Sequence, residues 1–355
     1  MTSILQAALQ LLATFVVLQS CAAHHKRKCS EGEPIITQAT QPVLHAEGPH
    51  WDVETQSLFF VDIEAEKVNR YDPATNQVTQ ATLEGGGVSI VIPVEGTKAR
   101  KLVATRGHDV VVLSWNYENA TFSNTTRSEN ITVIASVETS SRLSGNRWND
   151  GKADAKGRLW AGTIGPEPVV GHVVPDQAAF YLLDPNSTET ITEVQNVTNS
   201  NGLVWNKDNT LLYYIDTGTL QIDVFDFDLE HGLISNRRKV FNLPENNVPG
   251  FPDGMTIDNK GNLWIACFNG GRVINVDPRT GTLLRSVLMP ATRVCSLMFG
   301  GPWLDTLYVA TSRLGLTDEE HAQQPLAGSV FAVDCLGVSA LAPAHNVIRN
   351  DIANE

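Results

Sequence analysis

Short apolar stretches of four or five residues alternate with polar turns along most of this chain. They are rich in β-branched and aromatic residues, and helical periodicity is almost absent after the N-terminal segment. Turns such as residues 154–157 and 258–261 precede most of them. Six of the stretches begin with leucine, and these leucines lie 44 to 57 residues apart: 58–62, 102–105, 159–162, 212–216, 263–266 and 307–310. The pattern predicts an all-β protein built from six repeats.

A repeat of about 50 residues that contains several strands is typical of a β-propeller blade. We therefore predict a six-bladed β-propeller, whose closed ring leaves few exposed sheet edges. A two-sheet sandwich is the alternative, but it does not explain the regular spacing. The predicted propeller spans residues 41–345, with a leader at 24–40 and a C-terminal tail at 346–355.

Polar residues occupy one fixed position ahead of four of the six stretches. Glu47, Asn149, Asn201 and Asp253 each lie 10 or 11 residues before the leading leucine. In a propeller this position is the start of the innermost strand, so Glu47, Asn149 or Asp150, Asn201 and Asp253 are expected to converge in the central channel. A glycine close behind each of them lets the backbone approach closely. The second repeat is apolar at the matching place.

Crowded carboxylates repel one another unless a cation lies between them. Oxygen donors from Glu, Asp and Asn suit a hard divalent ion such as Ca²⁺, Mg²⁺ or Mn²⁺. Zn²⁺ stays open as an alternative, although this pattern lacks its usual His and Cys ligands. Arg147 and Lys152 would add cationic donors for an oxygen-rich ligand.

The sequence leaves the pairing of the cysteines open. If Cys21 leaves with a signal peptide, Cys29, Cys267, Cys295 and Cys335 remain and allow three pairings. A bond between Cys29 and Cys335 would tie the chain ends together. Cys267 is expected to be a buried thiol. Cys295 stands at the channel position of the sixth repeat, but no His partner for a nucleophile is recognisable in the sequence.

The N-terminus predicts export from the cell. An uncharged apolar run at residues 4–18 is followed by small residues, which indicates a signal peptide over residues 1–23 that is too short to span a membrane. The net charge of −13 argues against nucleic acid and anionic membranes as partners. Five glycosylation sequons fit a secreted glycoprotein: Asn119, Asn124, Asn130, Asn186 and Asn196.

Several segments resemble the regucalcin (senescence marker protein)/gluconolactonase/luciferin-regenerating enzyme family over roughly residues 41–342. The segments that carry the resemblance include 46–51, 146–152, 200–203, 213–216, 234–238, 252–255, 269–273 and 299–301. Residues 47–52, 248–254 and 299–302 are most similar to the insect luciferin-regenerating branch. The loop at residues 164–168 departs from the family pattern, as do the signal peptide and the sequons.

The resemblance implies a six-bladed propeller with one divalent cation at the channel mouth. Glu47, Asn201 and Asp253 match the family's cation ligands. Arg147 and Asn149 match its substrate-contacting residues. Glu167 is a weaker match on the following loop, and Asp150 lies beside the site. His172 is a candidate for the loop over the channel.

The function predicted from these residues is that of a monomeric, metal-dependent lactonase for sugar-type lactones. A cation, with Ca²⁺ expected, would polarise the lactone carbonyl. Asp253 would orient or deprotonate the attacking water, while Arg147 and Asn149 hydrogen-bond the sugar hydroxyls. The alternative is a secreted, non-catalytic propeller that binds a cation and a small ligand, which includes a luciferin-regenerating type of role.

Overall fold

The computed structural model describes Cys29 and residues 33–117, 126–127, 130–184, 186–187 and 189–349 of the 355-residue chain. The predicted signal peptide, the sequons at Asn119 and Asn124, and the end of the predicted tail lie outside these residues. The side chain of Asn130 lies outside them as well.

Within the described ranges the chain forms antiparallel strands in six sheets, which follow one another along the sequence. The first half of the strands is β1 (Ile35–Gln38), β2 (Ala46–Asp52), β3 (Ser57–Asp62), β4 (Lys67–Asp72), β5 (Gln77–Thr82), β6 (Val91–Pro93), β7 (Lys101–Arg106), β8 (Asp109–Ser114), β9 (Thr126–Arg127), β10 (Asn130–Ser136), β11 (Arg147–Ala153) and β12 (Leu159–Ile164). The second half is β13 (Ala178–Leu183), β14 (Thr190–Val197), β15 (Ser200–Trp205), β16 (Leu211–Asp216), β17 (Gln221–Asp228), β18 (Leu233–Asn242), β19 (Phe251–Ile257), β20 (Leu263–Phe268), β21 (Arg272–Asp277), β22 (Thr282–Leu288), β23 (Arg293–Gly300), β24 (Thr306–Ser312) and β25 (Val330–Asp334).

These sheets are the blades of a six-bladed β-propeller, as predicted. Each predicted leucine-led stretch lies in the second strand of its blade: β3, β7, β12, β16, β20 and β24. The innermost strands are β2, β6, β11, β15, β19 and β23, and each blade contacts the next around the ring, including β2 with β23. The short strand β9 adds a parallel fifth strand to the first blade.

One α-helix, α1 (Asp318–Gln323), occurs in the described part of the chain, together with the 3₁₀ turns Ser141–Leu143, Thr217–Thr219 and Pro244–Asn246. None of the helices described here has the length and apolar character needed to span a bilayer.

The N-terminal strand closes the ring. Strand β1 pairs with β25 and supplies the outermost strand of the sixth blade, whose other three strands come from the C-terminal end of the domain. The propeller therefore starts at residue 35, inside the leader that we predicted to extend to residue 40. A disulfide between Cys29 and Cys335 holds this closure, whereas Cys267 and Cys295 are free thiols.

The fold also extends further towards the C-terminus than predicted. Val347 is fully buried and forms a parallel bridge with Val94, although we placed the tail from residue 346 onward. Ile348 donates its backbone N–H to Gly157 of the turn in the third blade. The apolar side chain of Val347 explains the difference, because it packs into the core between the second and third blades.

Two buried tryptophans join the predicted turns to the blade core. Trp160 and Trp264 are at most 2 % exposed, and their Nε1–H groups donate to Asp154 and Asp258 at 3.0 and 2.9 Å. A buried N–H without such an acceptor costs about 1–3 kcal/mol. The same aspartates begin the polar turns of the repeat, so each turn is fixed to the blade core by one side chain.

Five of the six innermost strands contain a β-bulge at one common position, namely β2, β11, β15, β19 and β23. A bulge leaves one residue unpaired and re-aims its side chain. Asn149, Asn201 and Asp253 lie within their bulges, and Glu47 directly precedes the bulge of β2. A glycine comes immediately after Glu47, Asn201 and Asp253. A Cβ on Gly202 would lie 2.5 Å from the backbone nitrogen of Met255. The narrow ring at this level therefore requires glycine.

Candidate metal and substrate site

A cavity of about 620 Å³ opens at the end of the channel where the innermost strands begin. The predicted residues that line it are Glu47, Arg147, Asn149, Glu167, His172, Asn201 and Asp253. Residues that are far apart in the chain therefore meet in one place, as the fixed position in the repeat predicted.

Hydrogen bonds hold the two amides in a defined orientation. Arg147 Nη1 donates to Asn149 Oδ1 at 2.9 Å, and Asn149 Nδ2 donates to Asn201 Oδ1 at 3.0 Å. Asn201 Nδ2 donates to Thr217 Oγ1 at 2.7 Å, and Thr217 in turn donates to the Pro252 carbonyl. Asn201 therefore points its oxygen away from Thr217 and towards Asn149, where a second lone pair can serve a cation.

Sequence reasoning missed Thr217, which sets the orientation of the Asn201 amide. The signal available was its place directly after β16, since Asp216 pairs with Ser200 beside Asn201. A hydroxyl at that place can both accept from the amide and donate onward, which a hydrophobic residue cannot do.

Two carboxyl groups of the cavity resist ionisation. Burial raises the pKa of Glu47, and the charge of Asp150 raises it further, while Gly48 N–H and Arg147 act in the opposite direction. Burial likewise raises the pKa of Asp253, with further contributions from the charges of Glu47 and Asp150. A divalent cation between Glu47, Asp253 and the oxygen of Asn201 would relieve this repulsion, so the donor set fits the predicted ion.

Of Asn149 and Asp150, only Asn149 lines this cavity. Lys152 lines a second, smaller cavity of the channel instead. Asp150 is 7 % exposed and accepts the Gly151 N–H at 2.7 Å. The ammonium of Lys152 donates to the Met255 carbonyl, and burial lowers its pKa to about 8, which the charge of Asp150 opposes. The bulge explains why Asn149 lines the cavity and Asp150 does not, because consecutive residues of an inner strand point to different levels of the channel. Asp150 therefore acts on the site through its charge.

A loop between β12 and β13 covers one side of the cavity. Val170, Val173 and Val174 of this loop line the wall together with Phe251 and Phe268. Glu167 accepts the Gly171 N–H and so holds the loop in place. The cavity thus has an apolar face opposite the polar face formed by the inner strands.

Sequence reasoning also missed a cluster of three different donors at the edge of the cavity. A ring nitrogen of His45, a carboxylate oxygen of Glu47 and the sulfur of Cys295 all lie within 4.8 Å of one another. Cys295 thus has a His neighbour that was not recognisable in the sequence. His45 comes from the opposite end of the chain, and only the closure of the sixth blade onto the first brings the two together. Burial lowers the pKa of His45 to about 3, and the charges of Arg147 and Arg293 act in the same direction.

The fold and the site define a six-bladed β-propeller with an acidic and amide-lined channel mouth. Residues 45–313 match the family described as the SMP-30/gluconolactonase/LRE-like region. Human regucalcin is 39 % identical over 84 % of this chain and 93 % of its own length, and regucalcin of Xenopus laevis is 35 % identical over the same shares. The chain belongs to this family, which confirms the resemblance noted in the sequence.

Solved structures agree with this assignment. A luciferin-regenerating enzyme superposes with a TM-score of 0.80 at 33 % identity, over 89 % of this chain and 100 % of that one. A calcium-binding regucalcin from Agrobacterium tumefaciens gives a TM-score of 0.74 over 88 % of this chain and 96 % of its own. At 21 % identity, the second comparison supports the fold alone.

Proposed function

We propose that this protein is a secreted, divalent-cation-dependent hydrolase that opens lactones. The observation that carries the proposal is the meeting of Glu47, Asn201 and Asp253 with Arg147 and Asn149 around one cavity. The names of similar proteins support it, since one structural neighbour is described as a calcium-binding regucalcin and another, from Xanthomonas campestris, as a gluconolactonase.

A cation held by Glu47, Asn201 and Asp253 would supply Lewis-acid polarisation of the lactone carbonyl. Asp253 would accept a proton from the attacking water at a carboxylate oxygen. The Glu47 carboxylate keeps its orientation through the Gly48 N–H at 2.9 Å.

Arg147 and Asn149 would bind the oxygen-rich face of the substrate. Their mutual hydrogen bond fixes both groups before a ligand arrives, which lowers the entropic cost of binding. The apolar wall formed by Val173, Phe251 and Phe268 would contact the carbon face of the lactone ring. A sugar-type lactone has both kinds of face, and the cavity is large enough for one.

The test is hydrolysis of D-glucono-δ-lactone and a panel of small lactones by the purified protein. Activity is measured after chelation and again with Ca²⁺, Mg²⁺, Mn²⁺ or Zn²⁺ restored. Asp253→Asn is the test variant, and Asp305→Asn, on an exposed turn between β23 and β24, is the matched control. Metal-restored turnover that only Asp253→Asn loses supports the proposal, whereas full turnover by Asp253→Asn removes the role of that residue.

A secreted binding protein is the second candidate, favoured by the apolar loop over the cavity. A binder would hold the cation and a small ligand but would hydrolyse none of the panel. Calorimetry with the same lactones separates the two candidates, because binding without turnover favours the second.

Export rests on the apolar N-terminal run and on features of the domain itself. A disulfide joins Cys29 to Cys335, and disulfides persist in oxidising compartments. Asn186 and Asn196 are exposed, as glycosylation requires. Expression of the full chain in eukaryotic cells, with and without residues 1–23, tests this. Protein in the medium with a glycosidase-sensitive mass is expected only for the full chain.

A further inference from the structure

We propose that His45 and Cys295 ligate a divalent ion together with Glu47, which gives this cavity a nitrogen, oxygen and sulfur site that prefers zinc-class ions to calcium. The inference rests on the proposed function only in that Glu47 belongs to both ligand sets. It does not require that any lactone is hydrolysed.

The distances between the donor atoms suit a transition-metal site. All three donor atoms lie within 4.8 Å of one another. Zinc binds nitrogen, oxygen and sulfur at about 2.0–2.3 Å, so donors in its tetrahedral sites are about 3.5 Å apart. Small side-chain rotations are therefore enough to bring the three atoms onto one ion.

The backbone places these side chains firmly. His45 forms a bridge with Ser312 of β24, and its backbone N–H donates to Asp62 Oδ1 at 3.0 Å. Cys295 occupies the bulge of β23, between the paired residues Val294 and Ser296. It thus stands at the same position of its blade as Asn201 and Asp253 do in theirs.

Hydrogen bonding leaves the two non-oxygen donors largely uncommitted. His45 Nδ1 is buried and has no hydrogen-bond partner among the described residues, and Glu64 Oε1 lies 4.0 Å away. The thiol of Cys295 donates only a weak hydrogen bond, to the Arg293 carbonyl at 3.5 Å. A buried polar atom without a partner costs about 1–3 kcal/mol, so an ion bound at His45 Nδ1 would remove that penalty.

The chemistry of the donors decides the selectivity. A thiolate is a soft ligand that favours Zn²⁺ or Co²⁺, whereas Ca²⁺ and Mg²⁺ prefer oxygen. On binding, the S–H bond of Cys295 breaks, its proton passes to the buffer, and the sulfur lone pair is shared with the ion. The imidazole of His45 contributes a nitrogen lone pair and no proton.

Cobalt is the probe, because Co²⁺ replaces Zn²⁺ in such sites and a bound thiolate gives a near-ultraviolet charge-transfer band. The purified full chain is titrated with Co²⁺ after chelation, together with Cys295→Ser and Cys267→Ser. Cys267 is the matched control, because it is the other buried free thiol of the described residues. The band is expected in the wild type and in Cys267→Ser and is expected to be lost in Cys295→Ser.

Calorimetry in buffers of different ionisation enthalpy gives a second readout. Binding of Zn²⁺ to the wild type should release about one more proton than binding to Cys295→Ser. The affinity for Zn²⁺ should fall at least about tenfold in Cys295→Ser and in His45→Gln, because even indirect partners of a metal contribute about 10–100-fold. The affinity for Ca²⁺ should be almost unchanged, since a hard ion gains little from sulfur.

Three results would overturn the inference: Co²⁺ bound by the wild type without the band, a band that persists in Cys295→Ser, or no binding of Co²⁺ at all. Melting curves of the metal-free variants identify any that fail to fold, and Cys295→Ala then takes the place of Cys295→Ser. Failure of the proposed function looks different, because a protein with the band but with no activity on any lactone would keep this inference and lose the hydrolase.

Discussion

The two ends of the channel are built from the same innermost strands and differ in almost every chemical respect. The end where the strands begin is open and carries oxygen and sulfur donors around a cavity of about 620 Å³. Three residues further along, the corresponding positions line a smaller cavity of about 260 Å³; they are His50, Lys152, Val204, Thr256 and Met298. The level along the strand therefore decides the chemistry of a residue more than the blade to which it belongs.

The far end is also covered. Residues 340–345 of the C-terminal segment line the smaller cavity, and Asn346 Oδ1 lies 2.9 Å from His50 Nε2. The proposed function assigns the small ligand to the cavity of Glu47 and Asp253 at the other end. The following predictions test this division between a reactive end and a structural end.

The largest expected effect comes from substituting Asp253 at the open end, with a substitution of His50 at the far end for comparison. Asp253→Asn should lower kcat for a hydrolysed lactone by about 10²–10⁴-fold, because the base that accepts the water proton is lost. His50→Gln should leave kcat almost unchanged. Steady-state kinetics at neutral pH with the preferred ion measure both. An equal loss in His50→Gln would contradict the division between the two ends.

The disulfide between Cys29 and Cys335, which fastens the closed ring, should affect stability and not catalysis. Cys335→Ser is expected to lower the free energy of unfolding by about 2–5 kcal/mol, because the bond closes a very long loop. Urea denaturation of the oxidised protein measures this loss. Below the unfolding transition, kcat should match the wild type, and a proportional fall in kcat would show that the closure also shapes the cavity.

The far end should add a pH dependence of stability through His50. Burial lowers the pKa of His50 from 6.5 to about 4, so the folded state binds fewer protons than the unfolded state between these values. The stability from neutral His50 is complete above pH 6.5 and is lost as pH falls towards 4, by about 3 kcal/mol. Urea denaturation of the wild type and His50→Gln across this range should give a steeper loss for the wild type. An equal loss of stability with pH in the two proteins would contradict this role of His50.

The smallest expected effect concerns Thr217 at the open end. Thr217→Val keeps the side-chain shape but removes the hydroxyl that holds Asn201 Nδ2. The affinity for the oxygen-bound cation should fall by about 10–100-fold, as for other groups that orient a metal ligand. Thr217→Ser should restore it. Calorimetric titration with Ca²⁺ decides this, and equal affinities in Thr217→Val and the wild type would show that the Asn201 amide needs no support.

The local sequence pattern determined the fold class of this protein and the level of its site. Six leucine-led apolar strands alternate with polar turns, and such strands can bury their faces only in stacked sheets. Equal offsets from these strands place one set of polar residues at a single topological position: Glu47, Asn149, Asn201 and Asp253. Those statements depend on neighbours within about a dozen residues, so they survive without knowledge of tertiary contacts.

Only the tertiary structure decided what lies beside these residues. The cavity takes Asn149 and not its neighbour Asp150, the hydroxyl of Thr217 orients an amide of another strand, and β1 closes the sixth blade with the opposite end of the chain. The pairing of His45 with Cys295 depends on the same closure. No local pattern records the closure by β1 or the meeting of His45 with Cys295, because these contacts arise when the ring closes and brings together segments that lie far apart in the sequence.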